Sequence, residues 1–255
     1  MHHHGSPYAW PLDPDAYVVV PVLIVAYVLA LRRYRASRGR KAAFAASMLL
    51  LLAVTATPLH TIALHRLLSM HLLQNVVLAE WAPALLVLAL PPELARAVAR
   101  HAPVRALAHP LAALPLWLAT YFFWHVPAVY DFALRRPDSL LHLEHATYFA
   151  AGVLLWWPVV HDAPRRFSAG AKALYLFGAF VLASPLGLLL ALLPRPVYDF
   201  YVAAPPLWGL TDHADQEIAG VTMAAEQAIV FFAVFAACLQ RFLAEEQLAG
   251  IYRPE

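Results

Sequence analysis

Charge is what this chain of 255 residues has least of. Asp, Glu, Lys and Arg together make up 13% of it, against about 25% in an ordinary soluble domain. With 62% hydrophobic residues and a mean hydropathy of +0.62, the composition excludes a soluble globular domain and defines a polytopic membrane protein. Cysteine is nearly absent. The single Cys238 excludes an intramolecular disulfide and any centre built from several thiolates. There is no phosphate-cradling glycine loop, no dinucleotide fingerprint and no nucleophile elbow. A basic start to a cleavable signal is also missing, because the first apolar run follows Asp13 and Asp15. The basic residues fall in short loops, where membrane topology explains them, so nucleic-acid binding has no support.

What is present is a series of apolar runs long enough to cross a bilayer core, which takes roughly 20 residues. Seven are read: 15–31, 42–59, 67–90, 111–129, 140–160, 171–193 and 218–242. The expectation is an all-α, seven-helix transmembrane bundle forming a single domain over 1–255, with an outer tail at 1–14 and a cytoplasmic tail at 243–255. Of the 18 basic residues, all but Arg66, Arg135, Arg136 and Arg195 fall on one side of that bundle. The positive-inside rule therefore puts the N-terminus outside and the C-terminus in the cytoplasm. His2, His3 and His4 read equally as an affinity-tag remnant or a native metal-attracting tip.

Given that orientation, imidazoles and acids gather outside. His60, His65, His71, His125, His142, His145 and His213 lie on or near the outer face, whereas only His101, His109 and His161 fall inside. Met70-His71-Leu72-Leu73-Gln74-Asn75 is the focal stretch, with His71, Gln74 and Asn75 on one helical face. An intramembrane histidine reads as a functional group by default, its plainer alternative being an interhelical hydrogen bond. His142 and His145, spaced i, i+3, can reach one ligand; otherwise they and Glu144 form a solvated helix entry. His125, in Trp124-His125-Val126-Pro127, stays ambiguous beside rings that an aromatic belt explains.

Asp215, Ala219, Thr222 and Glu226 share a line down the last helix, below an acidic mouth at Asp212-His213-Ala214-Asp215. Glu226 and Glu80 are intramembrane acids, each needing a partner or a proton. Met70 and Met223, in the outer half, offer thioethers suited to Cu(I), although methionine there is more often packing.

The order of motifs is similar to that of the CtaG-type family of cytochrome c oxidase assembly proteins. The resemblance runs through Pro58-Leu59-His60, Met70-His71-Leu72-Leu73-Gln74 and Trp124-His125-Val126-Pro127-Ala128-Val129-Tyr130-Asp131. It continues through His142-Leu143-Glu144-His145, Trp156-Trp157-Pro158, Trp208-Gly209-Leu210 and Asp215-Gln216-Glu217-Ile218-Ala219-Gly220. It implies a factor that places copper in the copper B centre of a haem–copper oxidase, with His60, His71, His125, His142, His145 and Asp215 in the site. Many relatives carry H-x-x-Q-H in the third helix, where this chain has Asn75. Relatives often continue the last helix with Met-Trp and Pro-Gly, where this chain has Met223-Ala224-Ala225-Glu226-Gln227.

The resulting expectation is a multi-pass protein of the bacterial inner membrane that is not an enzyme. It takes Cu(I), from an outer-compartment copper donor, on His71, His142 and His145. His60 and His125 stand at the entrance, and Asp215 orients a histidine. Its partner would be subunit I of the oxidase, met within the lipid bilayer. Three alternatives stand beside this. One is a zinc-dependent membrane hydrolase using Ser69, His71, His142, His145 and Asp215. The others are a haem-binding electron carrier and a docking partner without a metal.

Overall fold

The computed structural model describes residues 6–251, with side chains to Leu248. His2, His3, His4 and Arg253 lie outside the described residues. Among the described residues the protein is all-helical, with no strand. In chain order we name α1 (Asp15–Leu31), α2 (Arg38–Thr55), α3 (Pro58–His65), α4 (Leu68–Ala89), α5 (Pro92–Val98) and α6 (Ala102–Leu107). They are followed by α7 (Pro110–Trp124), α8 (Pro127–Leu134), α9 (His142–Val160), α10 (Ala169–Leu192), α11 (Asp199–Val202) and α12 (Asp212–Ile251).

Helix starts follow local chemistry. Ser37 and Ser168 accept from the third backbone N–H of α2 and α10, and Thr57 caps α3 ahead of Pro58. The residue before a proline is driven out of the helical region, and two helices break there. α2 and α3 bend by 49°, and α7 and α8 by 73° where Val126 precedes Pro127. Among the described residues three helices are long and apolar enough to cross a membrane: α4, α10 and α12 through Leu248. Counting each bent pair as one crossing brings the number to five. Each of the seven predicted runs is helical, but α1 is short at 17 residues, and α9 opens on His142, Glu144 and His145 and falls outside that set.

α4 is the centre of the bundle. α2 packs on its Ala82–Ala89 half, α12 on its Leu68–Val76 half, and α9 along its middle. Within hydrocarbon, helix association rests on close packing of small residues more than on burial from water. Gly152 of α9 is such a point: a side chain there would overlap the Ala79 carbonyl. Gly220 of α12 meets Gly187 and Ala191 of α10 in the same way. Between these contacts lie Trp117, Leu155, Leu176 and Phe231, all fully buried. Apolar side chains on α1, α10 and α12, such as Val25, Leu188 and Phe232, are exposed and present faces suited to lipid.

Val77–Trp81 forms a π-turn in the middle of α4, and a second π-turn, Asp15–Val19, opens α1. A third, Pro137–Leu141, leads into His142. Such turns recur at functional sites, and here each carries or adjoins an acid or imidazole of interest.

Candidate metal centre

The break at Pro58 turns α3 across the end of the bundle and buries His60 against α4 and α9. His60, His71 and His145 then form one group. The ring centroids of His145 lie 6.2 Å from those of His60 and 6.4 Å from those of His71. All three side chains are buried.

Hydrogen bonds fix the protonated nitrogen of each ring. The Tyr201 hydroxyl donates to the Ala63 carbonyl at 2.6 Å, so at 2.7 Å it receives the Nδ1 proton of His71. His145 Nδ1 lies 2.7 Å from Asp15 Oδ2 and must donate to it. Both rings therefore present an unprotonated Nε2, and both of these atoms are buried without a protein partner. His60 is the opposite case. Its Nδ1 accepts from Gln74 Nε2 at 2.9 Å, so Nε2 carries the proton toward Asp13 Oδ2 at 3.1 Å. Burial would raise the Asp13 carboxyl, but its interaction with His60, led by the hydrogen bond, and the Asp15 backbone N–H outweigh it and hold it below its ordinary value.

Around this group stand two acidic side chains, Asp15 and Glu144. Asp15 Oδ2 also approaches His142 Nδ1 at 3.3 Å, and the donor atoms of Asp15, His142 and His145 lie within 4.8 Å of one another, close enough to hold one metal ion. Glu144 Oε1 lies 3.9 Å from His71 Nε2 and accepts from Asn75 Nδ2 at 2.9 Å. A cavity of about 180 Å³ opens beside the group, lined by Asp15 and His145 with Val19, Leu51, Thr55, Leu78, Ala146 and Phe149. Its apolar walls belong to α1, α2, α4 and α9.

The structure brings His60, His71, His142 and His145 together, with Gln74 and Asn75 among their supports. His125 stands apart, beyond the Tyr130 ring, with Nδ1 on the Tyr121 carbonyl at 2.7 Å and on the Tyr148 hydroxyl at 3.2 Å. Asp215, expected to orient a histidine, instead caps α4. Its carboxylate accepts from the Leu68 and Ser69 backbone N–H groups at 2.6 and 3.1 Å and from the Ser69 hydroxyl. A carboxylate at the positive end of a helix is well placed for this, and the cap occupies the Ser69 hydroxyl as well. Met70 is partly buried. Met223 is buried lower down, beside Leu72, Asn75 and His125.

Glu80 and Glu226 face each other. Trp81 Nε1 donates to Glu226 at 2.6 Å and Gln227 Nε2 to Glu80 at 3.3 Å. Sequence reasoning missed Asp13, Asp15 and Tyr201, and named Glu144 only in the alternative of a solvated helix entry, whereas it is fully buried. Two acids at the start of an apolar helix were the available signal for the first pair.

An all-helical protein with membrane-length apolar helices and an imidazole–carboxylate cluster at one end defines the class. Its particular place comes from comparison with known families: the cytochrome c oxidase caa3 assembly factor family matches residues 25–245, and the chain belongs to that family. Comparisons with curated proteins and with solved structures give no match.

Proposed function

We propose that this protein binds Cu(I) at the histidine-rich end of the bundle and helps deliver it to the copper B centre of a haem–copper oxidase. Copper is cargo here, loaded and released without turnover, so the protein is not an enzyme. The observation that carries the reading is the pair of buried lone pairs, His71 Nε2 and His145 Nε2, each set in its tautomer by a fixed partner. Imidazole is a good copper ligand, and a partner on the other ring nitrogen is the usual support of a ligating histidine. Asp15 and His142 form the approach, with His60 held beside them.

Family membership supports an oxidase as the partner. The apolar cavity beside His145 favours release sideways, toward subunit I within the lipid, over release along the bundle axis. We read all seven helical runs as crossings of a bacterial inner membrane, the N-terminus outside, with copper arriving from a donor in the outer compartment.

The test is anaerobic Cu(I) titration of the full-length protein in detergent. Wild type is expected to bind about one copper per chain, and His71→Ala or His145→Ala to lose it. Equal binding by wild type and both variants refutes the site.

A second reading has a specific observation behind it. Two imidazoles and a carboxylate, as in Asp15, His142 and His145, also make a zinc donor set. Zn(II) that displaces Cu(I) at equal concentration, and is lost in Asp15→Ala rather than His71→Ala, would favour zinc.

A further inference from the structure

Below the imidazole group lies a cavity of about 10 Å³, lined by Asn75, Glu80, Tyr121, His125, Tyr148 and Met223 among others. That is close to the smallest volume that holds one water. Three of the lining residues carry a fully buried polar atom without a hydrogen-bond partner: Asn75 Oδ1, Glu80 Oε2 and His125 Nε2. A water there could donate to Asn75 Oδ1 and His125 Nε2 and meet the Glu80 carboxyl as a third neighbour, enough to hold it.

This cavity separates two polar systems. Above it, Asn75 holds Glu144, which touches His71. Below it, Glu80 faces Glu226 in the middle of the bundle. The groups packed around that pair are Trp81 of α4, Gln227 of α12, Tyr121 and His125 of α7, and Tyr148 of α9. α10 has no titratable residue between Tyr175 and Leu192. No Lys or Arg lies on α4, α7 or α9, and Arg241 of α12 is four turns from Glu226. Two facing carboxyls without a cation cannot both be ionised, so the pair holds a proton.

We infer that Glu80 and Glu226 form a proton-binding site, joined by a single water to the polar floor of the imidazole group, that gives up its proton when a cation loads that group. For the identity of the cation, this rests on the copper reading above. The O–H bond of the protonated carboxyl breaks, the proton leaves to bulk water by way of the cavity water, and a carboxylate remains. Nine residues of helix put Glu80 about 13.5 Å from His71. At that distance, a new positive charge weakens the pair's hold on its proton ~tenfold at an effective dielectric constant of about 20.

Infrared spectroscopy of the full-length protein in detergent tests this. Wild type should show a protonated-carboxyl C=O band that is lost in the Glu80→Gln/Glu226→Gln double variant. Should the double variant fail to fold, either single variant leaves one buried carboxyl in place of the facing pair, and the band should shift in frequency rather than stay unchanged. Ala79→Val, which adds two methyl groups to the cavity wall, should slow exchange of the band in D2O at least tenfold. Anaerobic Cu(I) should diminish in wild type that part of the band which the double variant lacks, which separates the pair from Glu144, a further fully buried carboxyl beside His71. An unchanged band in the Gln variants overturns the proton site. A band that ignores Cu(I) bound in full overturns the coupling. A band present with no Cu(I) bound overturns the copper reading and leaves the proton site supported.

Discussion

His145 Nδ1 donates to Asp15 Oδ2 at 2.7 Å, across 130 residues of sequence. This contact ties the first helix to the ninth, and it sets which nitrogen of His145 carries the proton. The same oxygen lies 3.3 Å from His142 Nδ1, which has no hydrogen-bond partner among the described residues.

Replacing Asp15 by Asn keeps the size of the side chain and removes its charge. The amide can offer a hydrogen to His145 Nδ1 and so favour the wrong tautomer. Loss of such a supporting partner costs about 10–100-fold in metal affinity. Competition titration of Asp15→Asn against wild type should show a weakening in that range, with the thermal unfolding midpoint little changed.

Asp215 acts as a helix cap, and this separates it from the metal. Asp215→Ala should lower stability by about 0.5–2 kcal/mol, the usual cost of a lost cap, read as a lower unfolding midpoint in detergent. Metal affinity measured on the folded protein should stay at the wild-type value. A matching loss of affinity would return Asp215 to the metal's surroundings.

Gly152 sets the spacing between α4 and α9. Gly152→Ala places a methyl group against the Ala79 carbonyl and the Pro83 ring. Overpacking of this kind costs about 1–3 kcal/mol. Because α9 carries Glu144 and His145, the variant should also bind metal more weakly, which a stability measurement paired with a titration will reveal.

His161, just past the end of α9, gives a pH signature at the opposite end of the bundle. Burial lowers its pKa below 6.5, an effect partly offset by the hydrogen bond to the Val87 carbonyl at 2.9 Å. The unfolded chain therefore takes up this proton first as the pH falls. Stability should be steady above about pH 6.5 and decline below it, levelling once the folded protein is protonated too. His161→Gln should flatten that decline in unfolding midpoints measured across the range.

Much of this architecture was legible in the residues. The long apolar runs marked the helices, and His71-Leu72-Leu73-Gln74-Asn75 marked a polar helical face that the structure buries next to His60 and Glu144. The i, i+3 pair His142 and His145 lies with Asp15 in one group of possible metal donors. What stayed hidden was pairing across distant segments. Nothing in the local pattern of Asp15 says that it meets His145, or in Tyr201 that it meets His71. Glu144 sits between two imidazoles and reads as part of a wet helix entry, until Gly152 brings α9 hard against α4. Asp215 and Glu226 lie on one helical line, yet the first caps α4 and the second finds Glu80. The membrane count was also less plain than the hydropathy suggested, since prolines break two of the runs.

The π-turn at Val77–Trp81 makes the site depend on a count of residues as well as their identity. Each residue advances a helix by about 100°, and a π-turn accommodates one more residue than an α-helical turn. Deleting Ala79 would restore a regular hydrogen-bond ladder while turning His71, Gln74 and Asn75 by roughly 100° relative to Pro83 and the Ala82–Ala89 half. No side chain of the imidazole group would have changed, yet His71 would point away from Tyr201 and Glu144. A shortened α4 would thus be a better helix carrying a dismantled site.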